Sequence, residues 1–320
     1  MTRDDISRRR FLKGSAAGIS ALAAAPASFA GDESGQQMPT RRLGKTDMDV
    51  SLLSFGGGSQ FMRNPDGRWQ PLLDRAIELG VNYFDTASRY GGGADLTSEE
   101  RYGKILPQYR DEVYIGTKFY SRHPGKARRE VERSLDRLQT DYVDILMFHS
   151  VEPHEDVDKV EEEIYPMMRD LKDQGMARHI GISSMNSAEK SRELMERMDF
   201  DIALLAITAT RYGDFVDVAL PAARENDVGV LAMKVMRNVV GKKANPRELL
   251  DYAWNRDGVS TATVGHYGMD KLDMNARLAR SYTPDRDDDP RALERRLAPL
   301  AGPHALTWAR PGYRDGAPIC

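Results

Sequence analysis

Four side chains in the first half of the chain are of the types needed to move a proton onto a carbonyl oxygen: Asp85, Tyr90, Lys118 and His149. They follow one another at spacings of 5, 28 and 31 residues. A free phenol has a pKa near 10 and exchanges protons poorly at neutral pH, but an ammonium beside it stabilises the phenolate. A carboxylate next to that ammonium would hold it charged and oriented. A neutral imidazole could meanwhile donate a hydrogen bond to a substrate carbonyl. Together the four suit protonation of an oxygen whose carbon receives hydride. Side chains cannot deliver hydride, so this chemistry calls for a nicotinamide.

Such a set works only if the fold brings it together. From about Arg41, short β-type runs alternate with longer helix-type runs, the signature of repeated βα units. Eight strands are expected: Ser51 to Phe55, Val81 to Asp85, Val113 to Lys118, Tyr142 to His149, His179 to Ser183, Ile202 to Ile207, Val228 to Lys234 and Ser260 to Val264. Runs such as Val143-Asp144-Ile145-Leu146-Met147-Phe148 read as strands buried on both faces. Between them, Leu72-Leu73-Ala76-Ile77-Leu79 and Val131-Leu135-Leu138 show the three- and four-residue spacing of half-buried helices. No Gly-x-Gly-x-x-Gly follows an early strand, which favours a closed (β/α)8 TIM barrel over an open doubly wound sheet. In such a barrel Asp85, Lys118 and His149 close neighbouring strands and Tyr90 lies in the loop after the first of them, so all four can share one pocket.

The chain has 320 residues, with 46 Lys and Arg against 49 Asp and Glu, which gives a net charge of −3 and no basic excess for binding nucleic acid. Cys320 is the single cysteine, so neither an intramolecular disulfide nor a CxxC pair can form. Ser7-Arg8-Arg9-Arg10-Phe11-Leu12-Lys13, the apolar run to Ala25 and the small residues to Ala30 have the order of a cleaved export signal. The apolar run is about half the roughly 20 residues that span a bilayer, so stable membrane insertion is not expected. The basic part resembles the twin-arginine signal of bacteria, whose export machinery carries folded cargo. Residues 1–30 are therefore expected to be the signal peptide, 31–40 a linker, 41–283 the barrel and 284–320 a C-terminal tail, with the protein exported to the periplasm or another extracytoplasmic space.

Arg42-Leu43-Gly44, Gly80-Val81-Asn82-Tyr83-Phe84-Asp85-Thr86-Ala87, Tyr90-Gly91, Ser98-Glu99, Thr117-Lys118, Ser134-Leu135-Asp136-Arg137-Leu138 and Gly181-Ile182-Ser183 occur in the order of the motifs of the aldo-keto reductases. The chain resembles that family from about Arg41 to Asn275. The resemblance implies an NAD(P)H-dependent reductase of a small-molecule aldehyde or ketone, with Tyr90 as proton donor, Lys118 and Asp85 tuning it and His149 orienting the carbonyl. It implies NADPH, with NADH as the other option, held by Ser183, by Met233 with Lys234 beside it, and by Lys271 and Asn275. Ser184 stands where the family commonly has asparagine, Leu204 aligns with a frequent glutamine, and Met233 with a frequent tyrosine. These departures keep open an alternative, a regulatory or interaction protein that binds the cofactor with little turnover. Exported reductases of this type often end in a cysteine-rich iron–sulfur segment. Here one cysteine cannot supply four thiolates, and no metal is expected.

Overall fold

The structure, a computed structural model, describes residues 36–284, 289–313 and 315. The expected signal peptide, the first half of the linker and the acidic run 285–288 lie outside the described residues. Strands β1 (Thr40–Arg42) and β2 (Asp49–Ser51) form an antiparallel hairpin. Eight further strands follow: β3 (Leu53–Gly56), β4 (Tyr83–Asp85), β5 (Tyr114–Phe119), β6 (Val143–Phe148), β7 (Ala177–Ser184), β8 (Ile202–Ala206), β9 (Gly229–Met233) and β10 (Val259–Val264). They close into a parallel barrel in the order β10-β3-β4-β5-β6-β7-β8-β9, with helices between successive strands. This is the expected (β/α)8 barrel.

The observed strand bounds differ from the expected ones by one or two residues, and the late starts of β3 and β4 have a local reason. Val81 and Asn82 precede β4 because the Val81 N–H bonds back to Ala76 O at 3.0 Å and the Gly80 N–H to Ile77 O at 2.8 Å, with Gly80 at φ 82°. That pattern caps the preceding helix, so the backbone is still leaving the helix where the apolar run begins. Ser51 belongs to the hairpin rather than to the first barrel strand. The hairpin packs at the N-terminal ends of β9 and β10: the Lys45 N–H donates to Asp227 O, and Arg41 donates to the carbonyls of Trp254 and Val259 at 2.7 and 2.9 Å. It thereby covers the end of the barrel opposite the strand tops.

The loop carrying Tyr90 is held from behind. Thr97 caps the helix Ser98–Ile105 with a reciprocal Thr97–Glu100 capping box, and Glu99, fully buried on that helix, accepts from Thr117 on β5 at 2.6 Å. Arg137, on the helix Pro124–Leu138, donates to Glu99 and to Ser88 O at 3.0 Å. The two helices can cross this closely because Gly103 lacks a side chain; a Cβ there would lie 2.0 Å from Arg137 O.

The C-terminal tail contains a short helix, Pro290–Leu297, and is part of the packed body. Leu297, Leu306 and Trp308 are buried in the same core cluster as the barrel, with Trp308 edge-on to Tyr212. The backbone N–H of Thr307 donates to Asn238 Oδ1, which anchors the tail to the loop after β9.

Candidate active site

The strand tops bring the four proton-handling residues into contact. Lys118 Nζ, with a fully buried side chain, donates to Asp85 at 2.8 Å, to Thr86 O at 2.7 Å and to Tyr90 Oη at 3.4 Å. The Tyr90 and His149 rings meet edge to face at 5.7 Å. His149 is fixed from the backbone side by its N–H to Phe119 O, and burial holds its pKa below the usual imidazole value, which leaves a neutral ring able to donate one hydrogen bond.

A fifth group completes the constellation, and sequence reasoning missed it. Asp315 from the tail accepts from the Tyr90 hydroxyl at 2.5 Å and from Lys234 Nζ at 2.5 Å, and it lies 3.5 Å from His149 Nε2. Tyr313 Oη also reaches its Oδ1 at 3.4 Å. Burial opposes ionisation of Asp315, but the Lys234 ammonium and the hydrogen bond with His149 outweigh it and hold the carboxyl well below its ordinary value. The Tyr90 phenol moves the opposite way from the expectation. Burial first, then the carboxylates of Asp315 and Asp85, push it well above 10. In this arrangement Tyr90 is a protonated donor, not a phenolate.

Tyr90 and Asp85 stand at one end of a cavity of about 1000 Å³ that runs past Leu204, Met233 and Lys234 to Gly265, Lys271 and Asn275. Met233 and Asn275 line it. Lys271 is on its rim, with a side chain 59% exposed beside Asp270. Ser183 does not line it: the Ser183 hydroxyl is buried and accepts from the Ser150 N–H at 3.0 Å. The wall also carries Arg237, Lys242 and Lys243, cations that sequence reasoning passed over although three basic residues within seven positions follow the end of β9. At the far end, Asn275 Oδ1 and Thr263 Oγ1 are buried without a hydrogen-bond partner among the described residues. An elongated cavity with a cationic wall and unfilled polar positions at the end away from Tyr90 fits a dinucleotide, whose phosphates and base would supply the missing partners.

A closed barrel with a proton-donating set at its strand tops and a dinucleotide-sized groove defines an oxidoreductase of the barrel class. Residues 52–279 match the family model described as the aldo/keto reductase family, and the chain belongs to that family. It is 27% identical over 284 residues to an oxidoreductase of Bacillus subtilis, YqkF, covering 85% of this chain and 87% of that one. It is 28% identical to L-galactose dehydrogenase of Arabidopsis thaliana over 71% of this chain and 74% of that protein. A crystal structure described as an aldo-keto reductase from Pseudomonas aeruginosa superposes with a TM-score of 0.65 at 28% identity, covering 78% of this chain and 98% of that one. The chain is thus an oxidoreductase of the carbonyl–alcohol type that uses a nicotinamide cofactor, and the regulatory alternative is not favoured.

Proposed function

We propose that the protein reduces an aldehyde or ketone with NADPH, and that Tyr90 donates the proton. The observation that carries this reading is the convergence of Tyr90, Lys118, Asp85 and His149 at one end of the groove. A bound nicotinamide supplies hydride to the carbonyl carbon. Tyr90 Oη gives its proton to the carbonyl oxygen, Lys118 stabilises the phenolate left behind, Asp85 fixes Lys118, and His149 Nε2 orients the carbonyl by a hydrogen bond. NADPH is favoured over NADH because Lys242, Lys243 and Lys271 add positive charge to the groove wall where an additional phosphate would gain from it. Met233 and Asn275 serve the two ends of the cofactor, and Ser183 supports the wall behind it. In the Tyr90→Phe variant, cofactor affinity is expected to persist while kcat for carbonyl reduction falls about a hundredfold or more, since a positioned proton donor contributes about 10² to 10⁴. Reduction at near-normal kcat would remove Tyr90 from this role.

The segment Ser7 to Lys13 supports export by the twin-arginine machinery to the periplasm or another extracytoplasmic space, with cofactor already bound. Arg8→Lys with Arg9→Lys keeps the charge and is expected to retain the precursor inside the cell. Equal export of that double variant on fractionation would refute the twin-arginine reading.

A further inference from the structure

We propose that Lys234 is a specificity-determining residue that selects carbonyl substrates bearing a carboxylate on the reacting carbon, that is 2-oxo acids, and that Asp315 occupies its place as a tethered carboxylate. The proposal rests on the reductase reading above and names the substrate class of that site.

The geometry starts from the two oxygens of Asp315. One, Oδ2, accepts from Tyr90 Oη and faces His149 Nε2, the position a carbonyl oxygen must take to receive the Tyr90 proton. The other, Oδ1, accepts from Lys234 Nζ and Tyr313 Oη. Lys234 Nζ therefore holds an oxygen that lies one carboxylate's width from the position of the reacting oxygen. The carbonyl carbon of an aldehyde or ketone bears no second oxygen, so the substrate oxygen nearest to the place of Oδ1 is one on the adjacent carbon. The phosphates of a nicotinamide cofactor are separated from its reacting ring carbon by the ribose, so they are too remote to satisfy both Tyr90 and Lys234 as Asp315 does.

Charge decides what kind of oxygen it is. The Lys234 side chain is 8% exposed; the charged groups that act on it besides Asp315 are cations, Arg237 and Lys118, and its Nζ also lies 5.5 Å from the centre of the Tyr313 ring. Burial disfavours its charged form, and Asp315 opposes that effect. When Asp315 leaves to admit a substrate, a buried ammonium loses its anion, and a neutral hydroxyl would not replace that charge. A substrate carboxylate would. Lys234 also holds a left-handed backbone conformation, φ 60°, directly after β9, which is uncommon for a residue with a side chain.

The step balances for this class. The C2 carbonyl carbon accepts hydride from the reduced nicotinamide, the C=O π pair becomes an O–H bond with the Tyr90 proton, and a 2-hydroxy acid leaves with the oxidised cofactor. The carboxylate stays ionised on Lys234 throughout.

The test uses the purified full chain. Oxamate, an unreactive relative of a 2-oxo acid, is titrated by calorimetry without nicotinamide. Asp315→Ala is expected to bind it at least about tenfold more tightly than Asp315→Ala with Lys234→Met, because a buried charge pair loses that much or more when one partner is truncated. Lys234→Arg in the same background keeps the charge and should restore most of the binding. Equal binding with lysine and methionine overturns the proposal. With NADPH, the ratio of kcat/KM for pyruvate to that for propanal should fall at least about tenfold on Lys234→Met in the Asp315→Ala background. A loss shared equally by both substrates would mean that Lys234 serves the cofactor alone, and would also overturn it. If no carbonyl compound were reduced while oxamate binding still depended on Lys234, the carboxylate site would stand and the reductase reading would fail.

Discussion

Lys118→Met should convert Asp85 from a paired carboxylate into a stranded one, and the cost can be worked from the structure. Lys118 Nζ lies 2.8 Å from Asp85, and the two side chains are 0% and 5% exposed. Removing one partner of such a pair costs about 3–5 kcal/mol, because the remaining charge stays buried. Burial already raises the Asp85 pKa above its ordinary 3.8, against the pull of Lys118. Without that ammonium the carboxyl rises further, and each unit costs about 1.4 kcal/mol at pH values above it. The sign follows: a carboxyl whose folded pKa exceeds its unfolded value keeps full stability below the unfolded value and loses it as pH rises toward the folded one. The variant should therefore unfold in urea almost like wild type near pH 4, and its deficit should widen as pH rises to about 7. Asp85→Asn added to Lys118→Met should recover most of the loss. A deficit equal at both pH values, or unrelieved by Asp85→Asn, would refute the reasoning.

Two further perturbations probe the frame around the site. Gly103→Ala would place a Cβ 2.0 Å from the Arg137 carbonyl and push apart the helices Ser98–Ile105 and Pro124–Leu138, so a stability loss of about 1–3 kcal/mol is expected in thermal melts. His266 is buried against Phe55, its Nε2 meets Asn275 Nδ2 at 3.2 Å, and burial pushes its pKa down to about 3. Because the unfolded chain takes up a proton near pH 6.5 and the folded one does not, stability should fall by about 1.4 kcal/mol per unit as pH drops below 6.5. His266→Gln should flatten that acid limb, and an unchanged slope in urea titrations would show that another group sets it.

The barrel was legible because its strands are buried on both faces: all six residues of β6 are buried, and five of the six are apolar. The hairpin was not, since Thr-Arg-Arg and Asp-Val-Ser are three-residue strands with no apolar alternation to betray them. Asp85, Lys118 and His149 could be found because barrel topology fixes where strand ends meet, and the conserved geometry of a closed parallel sheet brings neighbours together whatever the loop lengths. The Ser183 hydroxyl accepts from the Ser150 backbone, a contact that depends on how two strand ends meet and that no local motif specifies. Lys234 was expected with Met233 as a cofactor contact, and its pairing with a carboxylate of the tail was not foreseen. Its direction into the site depends on a backbone turn that no propensity specifies.

Asp315 had no such signal, because it is 225 residues from Tyr90 and an aspartate before a glycine in a tail reads locally as a turn. Its arrival also explains why the Tyr90 pKa moves opposite to the sequence-based expectation. A lysine beside a phenol lowers its pKa, but Asp315 puts a second carboxylate next to Asp85 in a site where burial already favours the neutral phenol. The phenolic proton is then shared with a carboxylate that cannot itself be reduced, so the tail holds the donor in its protonated form while excluding a carbonyl from it. Withdrawal of Asp315 removes one of the two carboxylates and leaves Lys118 in place. That withdrawal takes away part of what raises the phenol pKa, while burial, its largest cause, and Asp85 still favour the protonated donor.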